Sequence, residues 1–102
     1  MITADFTILP VGTDGTDLGE YVGIAVEIIK DSGLNYELTG MGTQIEAETL
    51  DELYEVVKKA QEAIFDKGSN RVYSVLKIDD RRDKNNRSLQ DKINTVNEIV
   101  NK

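Results

Sequence analysis

The spacing of apolar side chains along the 102 residues switches repeatedly between a period of two and a spacing of three or four, and that succession constrains the fold most. Within Met1 to Val11, Ile2, Ala4, Phe6 and Ile8 share one side while Thr3, Asp5 and Thr7 share the other, as a half-buried strand requires. From Leu18 onward, Leu18, Tyr21, Val22, Ala25, Ile28 and Ile29 fall on one side of a helix. Asp17 and Glu20 form a capping-box pair at its start, and Gly33 supplies the residue that closes its last turn.

Asn35 to Met41 and Thr43 to Glu48 are strand-like segments on either side of Gly42, so a hairpin is expected there. Thr49 and Glu52 repeat the capping pattern, Leu50, Leu53, Tyr54, Val57, Ala60 and Ile64 form a second helical stripe, and Gly68 follows it. Asn70 to Asp79 alternates again, with Val72, Ser74, Leu76 and Ile78 opposed to Tyr73, Val75 and Lys77. Ser88 to Lys102 carries Leu89, Ile93, Val96 and Val100 as a narrow stripe behind a Ser88 and Asp91 cap.

The order strand, helix, strand, strand, helix, strand, helix predicts one α+β domain over residues 1–102. It is a ferredoxin-like βαββαβ sandwich, with an antiparallel four-stranded sheet and an additional C-terminal helix. Both main helices cover one sheet face. The other face would present Thr3, Asp5, Thr7 and Leu9 beside Tyr73, Val75 and Lys77, a mixed surface that predicts a homo-oligomer built from dimers. A chain this short buries roughly two-thirds of its unfolded surface, so a site on it is expected to be shallow or shared between subunits.

Cysteine and histidine are both absent, which removes disulfides, thiolate nucleophiles, Cys/His zinc sites and imidazole-dependent catalysis. Twelve basic residues against nineteen acidic ones leave a formal charge of −7, unsuited to a nucleic-acid partner. No apolar stretch is long enough to span a bilayer, and the Met1 end lacks the pattern of a signal peptide, so a cytoplasmic protein without membrane contact is expected. The acidic excess lies in residues 1–69, whereas residues 70–102 are net basic; that asymmetry favours contact between the halves or between subunits.

Three segments carry candidate chemistry. GTDGTD, Gly12 to Asp17, sits before the first helix, but it lacks a lysine, fails the phosphate-loop patterns and carries two Asp. A capped turn and a ligand-facing loop both fit it. TGMGT, Thr39 to Thr43, offers two hydroxyls, a soft thioether and glycines that allow close approach, either as a bulge or as a seat for a flat ring. KIDDRRDK, Lys77 to Lys84, places Asp79, Asp80 and Asp83 among Arg81, Arg82 and Lys84. It reads as a solvated loop of weak ion pairs, as a cation or amine site, or, with Arg87, as an anion site. Glu46 and Glu48 add carboxylates to the third strand, where exposed Glu commonly serves solubility.

The opening MITADFTILPVGT, the central YELTGMGTQIEAE at Tyr36 to Glu48, and VLKIDDRRDK at Val75 to Lys84 resemble the small thiamine-binding protein family, long catalogued as conserved proteins of unknown function. The similarity runs in order over nearly the whole chain. It implies a ferredoxin-like fold, a homotetramer arranged as a dimer of dimers, and binding of thiamine or its hydroxymethylpyrimidine portion without catalysis and without a cofactor. The family positions matched here, and so the ligand-binding residues it implies, are Gly12, Thr13, Thr39, Met41, Gly42, Thr43, Glu46, Asp79 and Asp80. Where that family reads T-P-M-G-T, this chain has Gly40 in place of the proline. In this reading Thr39 and Thr43 serve the pyrimidine edge, Met41 with Tyr21 or Tyr73 its faces, and Glu46 or Asp79 the exocyclic amine or the thiazolium charge. Two other readings stand beside it. One is a homo-oligomeric regulatory or interaction protein with no such ligand; the other is an enzyme holding a hard metal ion on Asp79, Asp80 and Glu46.

Overall fold

A computed structural model describes residues 1–12, 18–83 and 88–101. The chain folds as β1 (Ile2–Pro10), α1 (Leu18–Asp31), β2 (Tyr36–Thr39), β3 (Gly42–Ala47), α2 (Leu50–Lys67), β4 (Val72–Asp80) and α3 (Leu89–Val100). The strands form one antiparallel sheet in the order β2-β3-β1-β4, the ferredoxin-like topology with an added C-terminal helix.

Alternation along β1 places Ile2, Ala4, Phe6 and Ile8 under the helices, where Ile45 and Ala47 of β3 join them. Helix α1 adds Ala25 and Ile29; α2 adds Leu53, Val56, Ala60 and Ile64. Phe6, Ile29, Ile45, Leu53 and Ile64 are the largest fully buried side chains, each stabilising the fold by roughly 1.5–3 kcal/mol through removal from water. The helix ends follow local chemistry. The Thr49 hydroxyl accepts from the Glu52 amide at 3.2 Å, and Gly68, at φ 123°, donates its amide to the Ile64 and Phe65 carbonyls. Ser88 and Asp91 complete a reciprocal capping box on α3. The Asp17 cap expected for α1 lies outside the described residues, while Gly33, at φ 80°, closes that helix as expected.

Two local expectations are corrected. Tyr54 is half exposed and Val56 is buried in its place, because about 100° of rotation per residue carries Tyr54 well round from the Leu53, Ala60 and Ile64 stripe. The hairpin turn consists of Gly40 and Met41, not Gly42: Gly42 pairs with Thr39 as the first residue of β3.

The second sheet face carries Thr3, Asp5, Thr7 and Leu9 of β1 opposite Asp79, Lys77, Val75 and Tyr73 of β4. Leu9, Val75 and Tyr73 remain 37%, 42% and 55% exposed. Helix α3 meets this face only near its start. The Leu89 amide donates to Glu46 Oε1 at 2.8 Å, and Lys92 Nζ donates to Thr3 Oγ1 at 2.7 Å and pairs with Asp79. No α3 residue is buried, and Ile93, Val96, Ile99 and Val100 are exposed.

Candidate functional site

Four of the family-implied residues meet at one end of the sheet, where the β2-β3 turn faces α1. The residues after Phe6 in β1 run alongside the turn, because Phe6 pairs with Thr43 and the two strands are antiparallel. A recess of about 270 Å³ opens there. Val22, Ala25, Val26 and Ile29 of α1 form one wall, Phe6 to Leu9 of β1 the floor, and Leu38 to Thr43 the other wall.

The turn is fixed by hydroxyls. Thr7 Oγ1 donates to the Met41 carbonyl at 3.0 Å; Thr39 Oγ1 donates to the Gly42 carbonyl at 2.8 Å and accepts weakly from the Met41 amide at 3.4 Å. Gly42 lies so close to β1 that an added Cβ would stand 2.9 Å from Thr7 Oγ1, 3.1 Å from Asp5 Oδ1 and 3.1 Å from the Phe6 carbonyl. The glycine at 42 therefore serves interstrand contact. At Gly40 a Cβ would meet nothing within 4 Å, and its φ lies outside the left-handed region, so the backbone there accepts a residue with a side chain.

Three threonines border the recess, and the hydroxyls of Thr7 and Thr39 hold the turn. Thr43 is only 5% exposed, its hydroxyl makes no hydrogen bond among the described residues, and no fully buried side-chain polar atom there is left unsatisfied. Its oxygen therefore reaches the recess surface, able to donate one hydrogen bond and accept others. Met41 stands at the rim, 87% exposed. Tyr21 packs against the core cluster and Tyr73 lies on the opposite sheet face, so neither lines the recess. Val22, Val26 and Leu38 do line it; as apolar members of regular elements they carry no sequence signal separating recess from core.

The remaining implied residues lie elsewhere. Gly12 follows β1 at φ 74° and is exposed; Thr13 and the rest of its loop lie outside the described residues. Glu46 and Asp79 flank Thr3, about 10 Å along the strands from the Thr43 level. Asn35 Nδ2 donates to Glu46 Oε2 at 2.9 Å, and the Leu89 amide and Lys92 engage Glu46 and Asp79 as described. Asp80 carries a hydrogen-bonded ion pair with Arg82 at 2.8 Å, whose guanidinium holds the Asp80 carboxyl below the usual carboxylate range; Arg81 forks onto Asp83 at 2.7 and 3.1 Å. Both described arginines of KIDDRRDK are thus engaged by carboxylates of their own segment, while Lys84 and Arg87 lie outside the described residues. Among the described residues no three carboxylates are grouped to hold a metal ion.

A larger groove of about 610 Å³ runs between the end of α1 and α2, lined by Ile28, Leu34 and Val56 with Asp31, Glu52, Glu55 and Lys59. Lys59 pairs with Glu55 along α2 at 3.5 Å. It is wider than a single ring requires, and no buried, unpartnered hydroxyl points into it. Among the described residues no helix is long and apolar enough to cross a membrane.

Fold and recess together define a class: a ferredoxin-like domain with a small, uncharged cleft walled by its first helix and its β2-β3 hairpin. Residues 4–97 match the thiamine-binding protein family, and the chain belongs to it. A UPF0045 protein of Methanothermobacter thermautotrophicus is 55% identical over 100 residues, covering 98% of this chain and all of the relative. A UPF0045 protein of Bacillus subtilis is 41% identical, covering 95% of each chain. Among solved structures, a Methanocaldococcus jannaschii protein superposes with a TM-score of 0.84 at 35% identity, covering 95% of this chain and 96% of its own. A candidate thiamine biosynthesis/salvage protein of Thermotoga maritima superposes with a TM-score of 0.78 at 24% identity, covering 93% of this chain and 97% of its own, a likeness of fold.

Proposed function

We propose that the protein binds thiamine or its hydroxymethylpyrimidine portion without catalysing a reaction on it, so that it sequesters, delivers or senses the compound. The observation that carries this reading is Thr43, a 5% exposed residue whose hydroxyl reaches the surface of a ring-sized recess with no hydrogen-bond partner among the described residues, in a chain of the thiamine-binding family. An aminopyrimidine offers donors and acceptors on one edge and apolar faces on both sides. The Thr43 hydroxyl and the Gly40 to Gly42 backbone suit the edge; Val22, Val26 and Leu38 suit the faces. At about 270 Å³ the recess is small even for a ligand cavity, which favours seating the pyrimidine and leaving a thiazolium ring outside over Met41.

The working form in this reading is a cytoplasmic homo-oligomer, a tetramer built as a dimer of dimers. The exposed stripe of α3 and the Leu9, Tyr73 and Val75 patch support that assembly. Light scattering should then give a particle near four times 11.4 kDa; a monomer at micromolar concentration would overturn it.

Calorimetric titration with hydroxymethylpyrimidine and thiamine tests the binding. Saturable binding is expected, weakened about tenfold or more in Thr43→Val, which keeps shape but removes the hydroxyl. Unchanged affinity in Thr43→Val would place the ligand elsewhere, and no binding to folded, ligand-free protein would favour an interaction protein without this ligand.

A further inference from the structure

We infer that α3 is an exchanged arm: Glu46 and Asp79 hold its first turn so that its apolar stripe covers the open sheet face of a second copy of the chain, whose own arm returns the contact. The inference rests on the homo-oligomeric reading above and adds which surfaces meet and which residues aim them.

The two motif carboxylates are engaged by the helix start. Glu46 of β3 is clamped between Asn35 Nδ2 and the Leu89 amide, so it supplies a partner to an otherwise unpaired donor of a helix 43 positions later. Asp79 of β4 pairs with Lys92, whose ammonium also donates to the hydroxyl of the buried Thr3. Side chains from β1, β3 and β4 thereby fix the turn from Leu89 to Lys92, and a fixed first turn sets the direction of the rest. Beyond it Ile93, Val96, Ile99 and Val100 stay exposed, and the same chain's Leu9, Tyr73 and Val75 stay uncovered. The radius of gyration, 15.1 Å, exceeds the roughly 13 Å of a compact domain this long, as an element standing off the body requires.

Helix and face match in size. The face runs from Thr3 to Leu9 beside Asp79 to Tyr73, six residue steps or about 20 Å, and is two strands wide. Twelve residues of α3 make a rod about 18 Å long and about 10 Å across. Lys77 stands 3.8 Å from Asp5 on that face, so the helix meets a paired charge there. Every copy carries both surfaces, so a two-fold axis makes the contact reciprocal. Two helices on two sheet faces bury on the order of 1,000 Å², about what a specific interface needs.

The absence of cysteine from the chain makes cross-linking a direct test. A tagged Val96→Cys chain and an untagged Val75→Cys chain, both altered at exposed positions, are co-expressed and treated with a short thiol-to-thiol linker. The mixed product should exceed each like-with-like product at least fivefold, and the double variant should link at twice the chain mass. Adding Glu46→Ala and Asp79→Ala should lower the mixed product at least threefold with the folded circular dichroism signal retained; an undiminished yield would overturn their part in aiming the arm. An oligomer without the mixed product, or a double variant that links at the mass of one chain, would overturn the exchange while leaving the assembly standing. A monomer by light scattering would refute the assembly reading itself, and this inference with it.

Discussion

Gly42→Ala is expected to destabilise the fold, although Gly to Ala in a strand ordinarily helps. Relief of backbone entropy alone would favour Ala by roughly 0.5–1 kcal/mol. Against that stand three contacts of the added methyl: 2.9 Å to Thr7 Oγ1, 3.1 Å to Asp5 Oδ1 and 3.1 Å to the Phe6 carbonyl. Asp5 can swing away into solvent. The Phe6 carbonyl belongs to the central strand β1, which pairs with β3 on one side and β4 on the other, and cannot shift alone. Thr7 Oγ1 can move only by breaking its 3.0 Å bond to the Met41 carbonyl, which fixes the turn. Overpacking of this kind costs about 1–3 kcal/mol, so the net loss should be about 1–2 kcal/mol. At roughly 4–8 °C per kcal/mol for a domain near this size, the melting temperature should fall by about 4–16 °C. The assay is thermal and urea unfolding followed by far-ultraviolet circular dichroism, at one fixed protein concentration so that assembly does not shift the midpoint. Equal or greater stability of Gly42→Ala would refute the claim that this glycine is required by the approach of β1.

Gly40→Ala should act in the opposite direction, raising stability by about 0.4–1 kcal/mol in the same assay, because φ at Gly40 is not left-handed and an added Cβ would meet nothing within 4 Å. Lys92→Met should loosen α3, read as faster amide exchange or proteolysis there, while changing global stability by no more than about 1 kcal/mol for so exposed a pair and leaving pyrimidine affinity within twofold. A large loss of affinity would join Asp79 to the site. Because the chain has no histidine, the melting temperature should show no step between pH 6 and 8. Asp80, held below its ordinary value of 3.8 by Arg82, contributes stability that is complete above that value and is lost as pH falls through its lowered folded pKa; Asp80→Asn should flatten the acid limb slightly.

The succession of elements, the described helix ends and the division of β1 into two faces are legible in the order of the residues. Each of these depends on neighbours a few residues apart: alternation in Ile2 to Ile8, the Thr49 hydroxyl on the Glu52 amide, the Ser88 and Asp91 box. Family-like motifs also set Thr39 to Thr43, Glu46, Asp79 and Asp80 apart from their neighbours. Tertiary structure alone decided which of them meet. Thr39 to Thr43 share a recess with α1, while Glu46 and Asp79, only a few positions further along their strands, face the start of α3 about three residues away in register. Nor did spacing distinguish Gly42, held by β1 side chains thirty-odd positions earlier, from Gly40 two residues before it. The same holds for the three threonines, two bound to the turn and one left facing the recess. Local preference is set by the chain's own backbone, whereas a free hydroxyl in a buried cleft depends on what other strands and helices leave unpaired.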